Sequence, residues 1–474
     1  MMKLSKAATI LNAKLIGDDA IFTSVNSDSR KVTAGELFVA LKGENFDGHR
    51  FAEQALSKGA VAAMVDEDFE LSQESGLSPA LLVPDTLEAL GKLASYWRSQ
   101  FAIPVAAITG SNGKTTVKEM LSSIAKAAVN AESNVLATEG NLNNHIGMPM
   151  TLLKLNKQHQ YAIIEMGMNH KGEISYLSNL ARPNVALINN AGSAHIGELG
   201  SLEAIANAKG EIFEGLTKDG IAVINADDVF VPLWKSLAAN KKVFTFGLKK
   251  PADVTATYTL QASACDIKVT TPKGVFAVLL SAPGLINVMN ALAATATAIA
   301  MDISLKSIQQ GLQNYGGVVD RLQHLKGVNG ALVINDCYNA NPTSMKAAID
   351  VLVAKKGKKI LVLGDMGELG DKAEEYHAEI GAYAQAAGID ILLTLGTLSI
   401  GMTNTFNKNA GASRPQTATH YLTPQSLTDD LLKLMNSGSN VLVKGSRSMA
   451  MERIVNEIYM MIASNEKKGR IKCY

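Results

Sequence analysis

The segment that most clearly predicts chemistry is a glycine-rich loop that ends in a lysine and two hydroxyl residues. It follows the apolar run 103–108 and contains Gly110, Ser111, Asn112, Gly113, Lys114, Thr115 and Thr116. Glycines let backbone N–H groups surround a phosphate, and a following helix adds partial positive charge at its N-terminus. Lys114 would then reach the β and γ phosphates, and Thr115 would give a hydroxyl ligand to Mg²⁺. The sequence therefore predicts a nucleotide-binding loop.

The spacing of this loop differs from the common GxxxxGK[ST] pattern. Ile108 occupies the position five residues before Gly113, where that pattern has glycine, so a standard kinase or GTPase loop is disfavoured. A chance Gly-Lys-Thr turn is the alternative. The buried strand predicted before the loop and the apolar positions Val117, Met120 and Ile124 at helical spacing after it favour a phosphate site.

Two further side chains could bind a metal ion near this loop. Glu165 follows the apolar run 161–164, and ligands bind at the carboxyl ends of strands in open α/β sheets. Carboxylate oxygens suit Mg²⁺, although a capping or surface role is the alternative for Glu165. His195 follows the predicted strand 185–188, but a single histidine is more often structural than a ligand.

The elements that must position these residues alternate between strand and helix. Apolar runs predict strands at 37–41, 61–65, 103–108, 161–164, 185–188, 221–224, 331–334, 359–363, 391–395 and 441–443. Helical spacing is clearest at 51–58, 117–128 and 202–216. The expected fold class is α/β with three domains: a small N-terminal α/β module (1–95), a central ATPase domain of the phosphate-loop type with a mainly parallel sheet (96–315), and a C-terminal Rossmann-like domain (316–474).

Composition excludes several classes of protein. The 474 residues include 45 basic and 44 acidic side chains, which gives no general attraction to nucleic acid or anionic membranes. Cys265, Cys337 and Cys473 are widely spaced, so neither a disulfide framework nor a zinc site is predicted. No stretch reaches the length of a membrane span, and no signal peptide is recognised. A cytoplasmic protein is expected.

Several motifs together resemble those of the Mur ligase family, and the resemblance covers nearly the whole chain. The matching segments are 27–30, 37–43, 109–116, 140–144 (Gly-Asn-Leu-Asn-Asn), 165–167, 208–213 (Ala-Lys-Gly-Glu-Ile-Phe), 335–342, 363–370 and 444–447 (Lys-Gly-Ser-Arg). In that family, domains for the uridine nucleotide, ATP and the incoming amine follow one another in this order. The resemblance implies the same order here.

The resemblance also implies roles that the residues alone do not. Lys209 matches a lysine that becomes N-carboxylated, so Thr115, Glu165, His195 and Lys209 are the expected metal ligands. Other residues are expected at ATP or at the substrates: Asn287, Asn290, Arg321 and Asp336 at ATP, and Asn141, Asn144, Asn339 and Asn341 at the substrates. Two alternatives stay open, namely that Lys209 is an ordinary helix lysine and that Asn287 and Asn290 cap a helix beginning at Ala291.

In the first domain, the resemblance implies a uridine diphosphate pocket. It would be formed by Ser29, Arg30, Asp47, Gly48 and His49, with the arginine contacting phosphate. A surface turn is the alternative. Asn335 and Cys337 depart from the acid and the serine expected beside Asp336 in this family, which leaves the fine geometry open.

The activity that the resemblance implies is amide-bond formation with ATP. A tripeptide carboxylate would become an acyl phosphate, and the amine of D-alanyl-D-alanine would attack it, converting UDP-N-acetylmuramoyl-tripeptide to the pentapeptide, ADP and phosphate. Lys114, Glu165, His195 and Lys209 are the expected catalytic residues, with ATP and Mg²⁺ as cofactors. A monomer without a nucleic-acid partner is expected. The alternatives are a folylpolyglutamate-type ligase and a non-catalytic ATP-dependent switch, and the third peptide residue, lysine or diaminopimelate, stays open.

Overall fold

Three larger sheets, each with packed helices, make up the chain. A computed structural model describes residues 1–69, 78–129, 131–194, 196–409 and 416–471. Among these residues lie one five-stranded and two six-stranded sheets, together with smaller antiparallel sheets. The predicted three-domain α/β architecture is confirmed.

The N-terminal sheet has the order β2-β9-β8-β5-β4, and its pairs are parallel except for β2 with β9. Its buried core strands are short and apolar, as predicted at 37–41 and 61–65. The strands of this region are β1 (Met2–Lys3), β2 (Lys14–Ile16), β3 (Ile21–Phe22), β4 (Ser24–Asn26), β5 (Glu36–Val39), β6 (Lys42–Gly43), β7 (Phe46–Asp47), β8 (Ala62–Asp66) and β9 (Ala80–Val83). The helices are α1 (Leu4–Leu11), α2 (Ala52–Ser57) and α3 (Thr86–Ser99).

The central sheet is parallel throughout, in the order β11-β12-β10-β13-β14-β15. Its strands are β10 (Val105–Thr109), β11 (Val135–Ala137), β12 (Tyr161–Glu165), β13 (Val185–Ile188), β14 (Ile221–Asn225) and β15 (Lys242–Phe246). The helices between them are α4 (Lys114–Val129), α5 (Gly147–Leu152), α6 (Glu173–Ala181), α7 (Ile196–Leu199), α8 (Leu202–Gly210) and α9 (Val231–Leu237). Ile108 of β10 lies beside Glu165 on one side and Leu187 on the other, so these carboxyl ends share one edge.

A three-stranded antiparallel sheet and two helices complete the central region. They are β16 (Thr255–Leu260), β17 (Cys265–Thr271), β18 (Gly274–Leu280), α10 (Leu285–Ala300) and α11 (Leu305–Gln313). These antiparallel strands were not predicted, although the sequence of β17 has the alternation that indicates a strand exposed on one face. Cys265, Ile267 and Val269 are buried and alternate with exposed Asp266 and Lys268, the period of a half-buried strand.

The C-terminal sheet has the order β19-β20-β24-β21-β22-β23, and β19 is antiparallel to β20 while the other pairs are parallel. Its strands are β19 (Gln323–Lys326), β20 (Leu332–Asp336), β21 (Lys358–Gly364), β22 (Ile391–Leu395), β23 (Thr417–Tyr421) and β24 (Ser439–Lys444). Its helices are α12 (Pro342–Val353), α13 (Ala373–Ala386), α14 (Ile400–Asn409), α15 (Pro424–Leu434) and α16 (Glu452–Ile471). No described helix is long and apolar enough to span a membrane.

Two predictions about helix ends were wrong. The helix expected at 202–216 ends at Gly210 and continues as a 3₁₀ turn over Glu211–Phe213. At this turn the Glu211 carboxylate accepts the backbone N–H groups of Gly172 and Ser175, which lie outside the helix. The helix expected to begin at Ala291 begins at Leu285. Asn287 and Asn290 therefore lie inside α10 and are not its N-cap residues.

Candidate active site

The glycine-rich loop joins β10 to α4, as predicted. Gly113 has a φ of +80°, and a Cβ there would lie 2.4 Å from Oδ1 of Asn290 and 2.6 Å from Nδ2 of Asn189. Glycine is thus required for both conformation and space. The Asn112 N–H donates to Oδ1 of Asn190 at 2.8 Å, so the tip of the loop is fixed by residues that follow β13.

Lys114 and Thr115 lie at the start of α4, where the phosphates of a nucleotide would be neutralised. Nζ of Lys114 donates to the carbonyl oxygen of Gly110 at 2.7 Å. Burial lowers the pKa of Lys114, which nearby Glu165 partly offsets and Arg321 reinforces. Oγ1 of Thr115 accepts a hydrogen bond from Nη2 of Arg321 at 2.9 Å. A basic side chain from the C-terminal domain therefore contacts the hydroxyl predicted to ligate Mg²⁺.

Glu165 ends β12 with only 2% of its surface exposed. Its Oε1 accepts a hydrogen bond from Nδ2 of Asn143 at 2.7 Å, and its backbone N–H donates to Oγ1 of Thr138 at 2.9 Å. The other carboxylate oxygen, Oε2, is buried and has no hydrogen-bond partner among the described residues. An unpartnered anionic oxygen beside the phosphate loop fits a bound cation.

Lys209 is buried near the end of α8, with 2% of its surface exposed. Burial, together with the positive charge of Lys114, holds its pKa well below the ordinary lysine value. Both effects act against the ammonium form of Lys209. Among the described residues, no group of three or more His, Cys, Asp and Glu side chains is placed to hold a metal. The predicted ligand His195 lies outside the described residues.

The predicted adenine-site residues form a chain of amide contacts inside the protein. Nδ2 of Asn290 donates to Oδ1 of Asn287 at 3.3 Å, and Nδ2 of Asn189 donates to Oδ1 of Asn290 at 3.1 Å. The same Asn189 amide donates to the carbonyl oxygen of Asn112 at 2.9 Å. These contacts connect the N-terminal turns of α10 to the phosphate loop. Asn189 was not predicted, although it directly follows the predicted strand 185–188.

The predicted C-terminal residues face the phosphate loop from the opposite side. Nδ2 of Asn341 donates to Oδ1 of Asn112 at 2.8 Å. Oδ2 of Asp336 accepts from Nζ of Lys444 at 2.6 Å, and the same amine donates to the carbonyl oxygen of Asn339 at 2.8 Å. Asp336 therefore forms a buried ion pair.

One cavity of about 910 Å³ collects most of the predicted residues. Those that line it are Ser111, Asn112, Gly113, Lys114, Thr115, Thr116, Asn141, Asn144, Glu165, Asn287, Asn290, Arg321, Asp336, Asn339 and Asn341. Lining residues to which the sequence assigned no role include Asn143, Tyr315, Tyr338 and Lys444, although all but Tyr315 lie in the segments that resemble the family. Gly110 and Lys209 are not among the residues that line the cavity.

The contacts of Tyr338, Asn143 and Asn144 were not predicted from the sequence. The guanidinium of Arg321 lies 4.0 Å from the centre of the Tyr338 ring, a cation–π contact that fixes its direction. Asn144 accepts the Gly147 N–H at the start of α5 at 2.8 Å, whereas its neighbour Asn143 contacts Glu165. The Asn-Leu-Asn-Asn segment indicated this region but not which amide reaches the carboxylate.

The predicted uridine-nucleotide residues lie apart from this cavity. Arg30 is largely exposed and forms two hydrogen bonds with Asp28, at 2.9 and 3.0 Å, and its guanidinium lowers the pKa of that carboxyl to about 2. Oγ of Ser29 donates to the Gln54 side chain at 3.1 Å. Arg30 is exposed enough to meet a phosphate.

Both ring nitrogens of His49 are used within the protein. Nδ1 lies 2.7 Å from the Asp47 carboxylate, and Nε2 accepts the Asp66 N–H at 3.0 Å. A Cβ at Gly48 would lie 2.7 Å from the carbonyl oxygen of Leu41, so the backbone passes too close for another residue. Asp47, Gly48 and His49 therefore determine the conformation of the chain at the end of β7.

Three family models match successive parts of the chain, in the order of its sheets. They are described as Mur ligase family, catalytic domain (residues 21–98), Mur ligase middle domain (108–298) and Mur ligase, glutamate ligase domain (320–447). The chain belongs to the Mur ligase family. Mur ligases depend on ATP, which agrees with the phosphate loop described above.

Individual Mur ligases resemble the chain over almost their full length. The UDP-N-acetylmuramoyl-tripeptide--D-alanyl-D-alanine ligase of Escherichia coli is 42% identical over 96% of this chain and 98% of its own. The crystal structure of MurF from Acinetobacter baumannii is 35% identical, has a TM-score of 0.87 and covers 96% of this chain and 98% of its own. The crystal structure of MurF from Thermotoga maritima in complex with ADP is 27% identical and has a TM-score of 0.81. It covers 93% of this chain and 98% of its own.

Proposed function

We propose that this chain adds D-alanyl-D-alanine to UDP-N-acetylmuramoyl-tripeptide in a reaction that consumes ATP. The shared cavity carries the proposal. Around it meet a phosphate loop, a Glu165 oxygen that has no hydrogen-bond partner among the described residues, and C-terminal side chains. A carboxylate cannot react directly with an amine at neutral pH because it has no good leaving group. Transfer of the γ-phosphate to the tripeptide carboxylate gives an acyl phosphate, and phosphate leaves after the amine attacks.

The chain's own residues hold the reactants by charge and position. Lys114 neutralises the β and γ phosphates, since its ammonium group has two N–H donors besides the one given to the Gly110 carbonyl. Thr115 and Glu165 would hold Mg²⁺, which when bound neutralises phosphate charge. Asn287 and Asn290 face the adenine, while Arg321 and Asp336 approach ATP from the C-terminal domain. Asn141, Asn144, Asn339 and Asn341 face the two substrates.

Lys209 is proposed to become a carbamate. Its neutral Nζ attacks the carbon of CO₂, an N–C bond forms as one C=O π pair moves to oxygen, and Nζ releases a proton to water. The product is an anion, which the positive charge of Lys114 attracts, whereas the same charge disfavours the ammonium form of Lys209. With His195 it could serve a second metal. A ¹³C NMR carbamate signal from protein in ¹³C-bicarbonate, absent in Lys209→Gln, tests this; equal spectra count against it.

In the first domain, Ser29 and Arg30 are proposed to contact the uridine diphosphate, and Asp47, Gly48 and His49 to position the neighbouring loop. Domain limits of 1–95, 96–315 and 316–474 are proposed with one adjustment. Since α3 runs through residue 95, the first domain is better ended after Ser99. The proposed location is the cytoplasm, where nucleotide substrates are made, and the proposed state is a monomer that does not bind nucleic acid.

Phosphate release from ATP tests the whole assignment. Wild type should release phosphate only with both UDP-N-acetylmuramoyl-tripeptide and D-alanyl-D-alanine, and Lys114→Ala should lower the rate at least roughly 100-fold. Lys126→Ala, in the last turn of the same helix, serves as the control and should keep the wild-type rate. Release that ignores either substrate would favour an ATP-dependent switch instead.

A further inference from the structure

A second depression borders the active-site cavity on the central domain. This side groove has a volume of about 430 Å³ and is lined by His170, Lys171, Glu198, Leu199, Ala204 and Asn207. It lies between the loop after β12, the short helix α7 and the first turns of α8. None of the motifs discussed above assigns a role to these side chains.

The two spaces share their walls. Met168, Asn169 and Glu173 line the active-site cavity, while His170 and Lys171, between them in sequence, line the side groove. A second part of the chain also contributes to both spaces, because Ala194 lines the cavity and Glu198 of α7 lines the groove. A substrate whose reacting carboxylate lies near Glu165 can therefore extend a branch into the groove.

The wall that carries Lys171 is held rigidly. Oε2 of Glu173 accepts the Asn169 N–H at 2.6 Å, and the Glu211 carboxylate accepts the Gly172 N–H at 2.9 Å. Glu211 is only 8% exposed and lies two residues after Lys209. The groove wall is thus anchored to the segment that carries the buried lysine.

The charged side chains of the groove, Lys171 and Glu198, have no hydrogen-bond or ion-pair partner among the described residues. In the described part of the chain, neither Nζ of Lys171 nor the carboxylate of Glu198 forms a hydrogen bond or an ion pair, and the two do not pair with each other. Both are exposed. The groove therefore offers one cationic and one anionic group at separate positions, with the Asn207 amide beside them.

We propose that the side groove binds the side chain of the third peptide residue and selects diaminopimelate over lysine. This inference rests on the proposed function, in which the carboxylate of that residue is activated, so its side chain branches from the adjacent carbon. A lysine side chain ends in an ammonium group alone, which Glu198 attracts but Lys171 repels. Diaminopimelate ends in an ammonium and a carboxylate, which complement Glu198 and Lys171 together.

The test compares kcat/KM for UDP-N-acetylmuramoyl-tripeptides that carry diaminopimelate or lysine at the third position. Wild type should prefer diaminopimelate, and Lys171→Met should lower its kcat/KM roughly 10-fold while leaving the lysine substrate unchanged or improved. Glu198→Gln should lower kcat/KM for both, since both end in an ammonium group. Lys218→Met, an exposed lysine outside the groove, should keep the wild-type ratio.

The outcomes separate this inference from the function on which it rests. If wild type uses neither tripeptide, the proposed function itself has failed. If wild type uses both tripeptides and Lys171→Met leaves the ratio of their kcat/KM values unchanged, the proposed function stands but the groove does not select the third residue. A wild-type preference for the lysine substrate also overturns the inference.

Discussion

Glu165 shows how one side chain can be prepared for a cation before the cation binds. Asn143 fixes one carboxylate oxygen and leaves the other buried and unpartnered, beside the lysine of the phosphate loop. Because the carboxylate cannot rotate without breaking the Asn143 contact, its free oxygen keeps one direction. A fixed ligand direction lowers the reorganisation needed when metal and nucleotide arrive.

Asn143→Ala should therefore weaken Mg²⁺ use more than ATP binding. We expect kcat at saturating ATP to fall roughly 10-fold and the Mg²⁺ concentration for half-maximal rate to rise. Steady-state kinetics across a Mg²⁺ titration gives both values. Asn179→Ala, an exposed amide on α6, is the control, and an unchanged Mg²⁺ requirement in Asn143→Ala would contradict the role.

Lys355 gives a prediction about pH. Its Nζ donates to the carbonyl oxygen of Ala262, and burial lowers its pKa from 10.5 to about 8. Between about pH 8 and 10.5 the unfolded chain therefore binds one more proton at this residue than the folded chain, so stability should rise with pH in that window. Lys355→Met should lack this rise in melting temperature, whereas exposed Lys356→Met should keep it.

Residue roles were only partly predictable from sequence. The phosphate loop was predictable because glycine, lysine and threonine must be adjacent in the chain to do that chemistry. Asn143, Asn189 and Tyr338 were not, since each acts through a partner 17 or more residues away that only folding brings near. Similarly, nothing local indicates that His49 uses both ring nitrogens within the protein.

At the scale of elements, the start of α12 combines helix capping with a contact to the phosphate loop. The Asn341 side chain accepts the Ser344 N–H, Ser344 reciprocates, and Pro342 occupies the first turn. The same Asn341 amide donates to Asn112 of the central domain. One residue thus starts a helix and connects two domains.

Replacing Asn341 by Ser separates these two roles. The hydroxyl oxygen can still accept the Ser344 N–H, so the cap should survive, but the shorter side chain lacks the amide that contacts the Asn112 side chain. We expect a raised KM for ATP with little change in melting temperature. Thr423→Ala removes the cap of α15 instead and should cost about 1 kcal/mol of stability without changing that KM. Identical effects of both variants would reject the domain contact.

Element positions followed from apolar runs, but their ends depended on tertiary contacts. Parallel strands buried on both faces, such as β10, are continuous apolar runs and were readily predicted. The early end of α8 was not, and the residue that follows it, Glu211, binds backbone N–H groups of a segment distant in sequence. The antiparallel strand β17 shows a period-two alternation of buried and exposed residues, which differs from the continuous apolar runs of the parallel strands.

For the whole molecule, the contacts between the central and C-terminal domains matter most. Besides the phosphate loop, α7 meets the turn before α13: the Gly197 N–H donates to the carbonyl oxygen of Glu368 at 3.0 Å. A Cβ at Gly197 would lie 2.7 Å from the backbone nitrogen of Gly370. Two glycines thus allow the backbones of two domains to touch.

Gly197→Ala should keep these domains apart. We expect a lower kcat and, by small-angle scattering with an ATP analogue and UDP substrate, a larger radius of gyration than wild type. Gly367→Ala is the control, since the nearest atom to a Cβ at that position would be Cβ of Ser446, at 3.8 Å. A scattering curve like that of wild type would show that this contact does not set the domain arrangement.

The contacts from Arg321 to Thr115 and from Asn341 to Asn112 have a consequence for the timing of turnover. A nucleotide on the phosphate loop lies between two domains that hold each other at that loop, so ADP leaves no faster than the domains separate. Separation moves a whole domain through water and is slowed by solvent friction, whereas bond making is not. Turnover limited in this way should slow as glycerol raises the viscosity of the buffer.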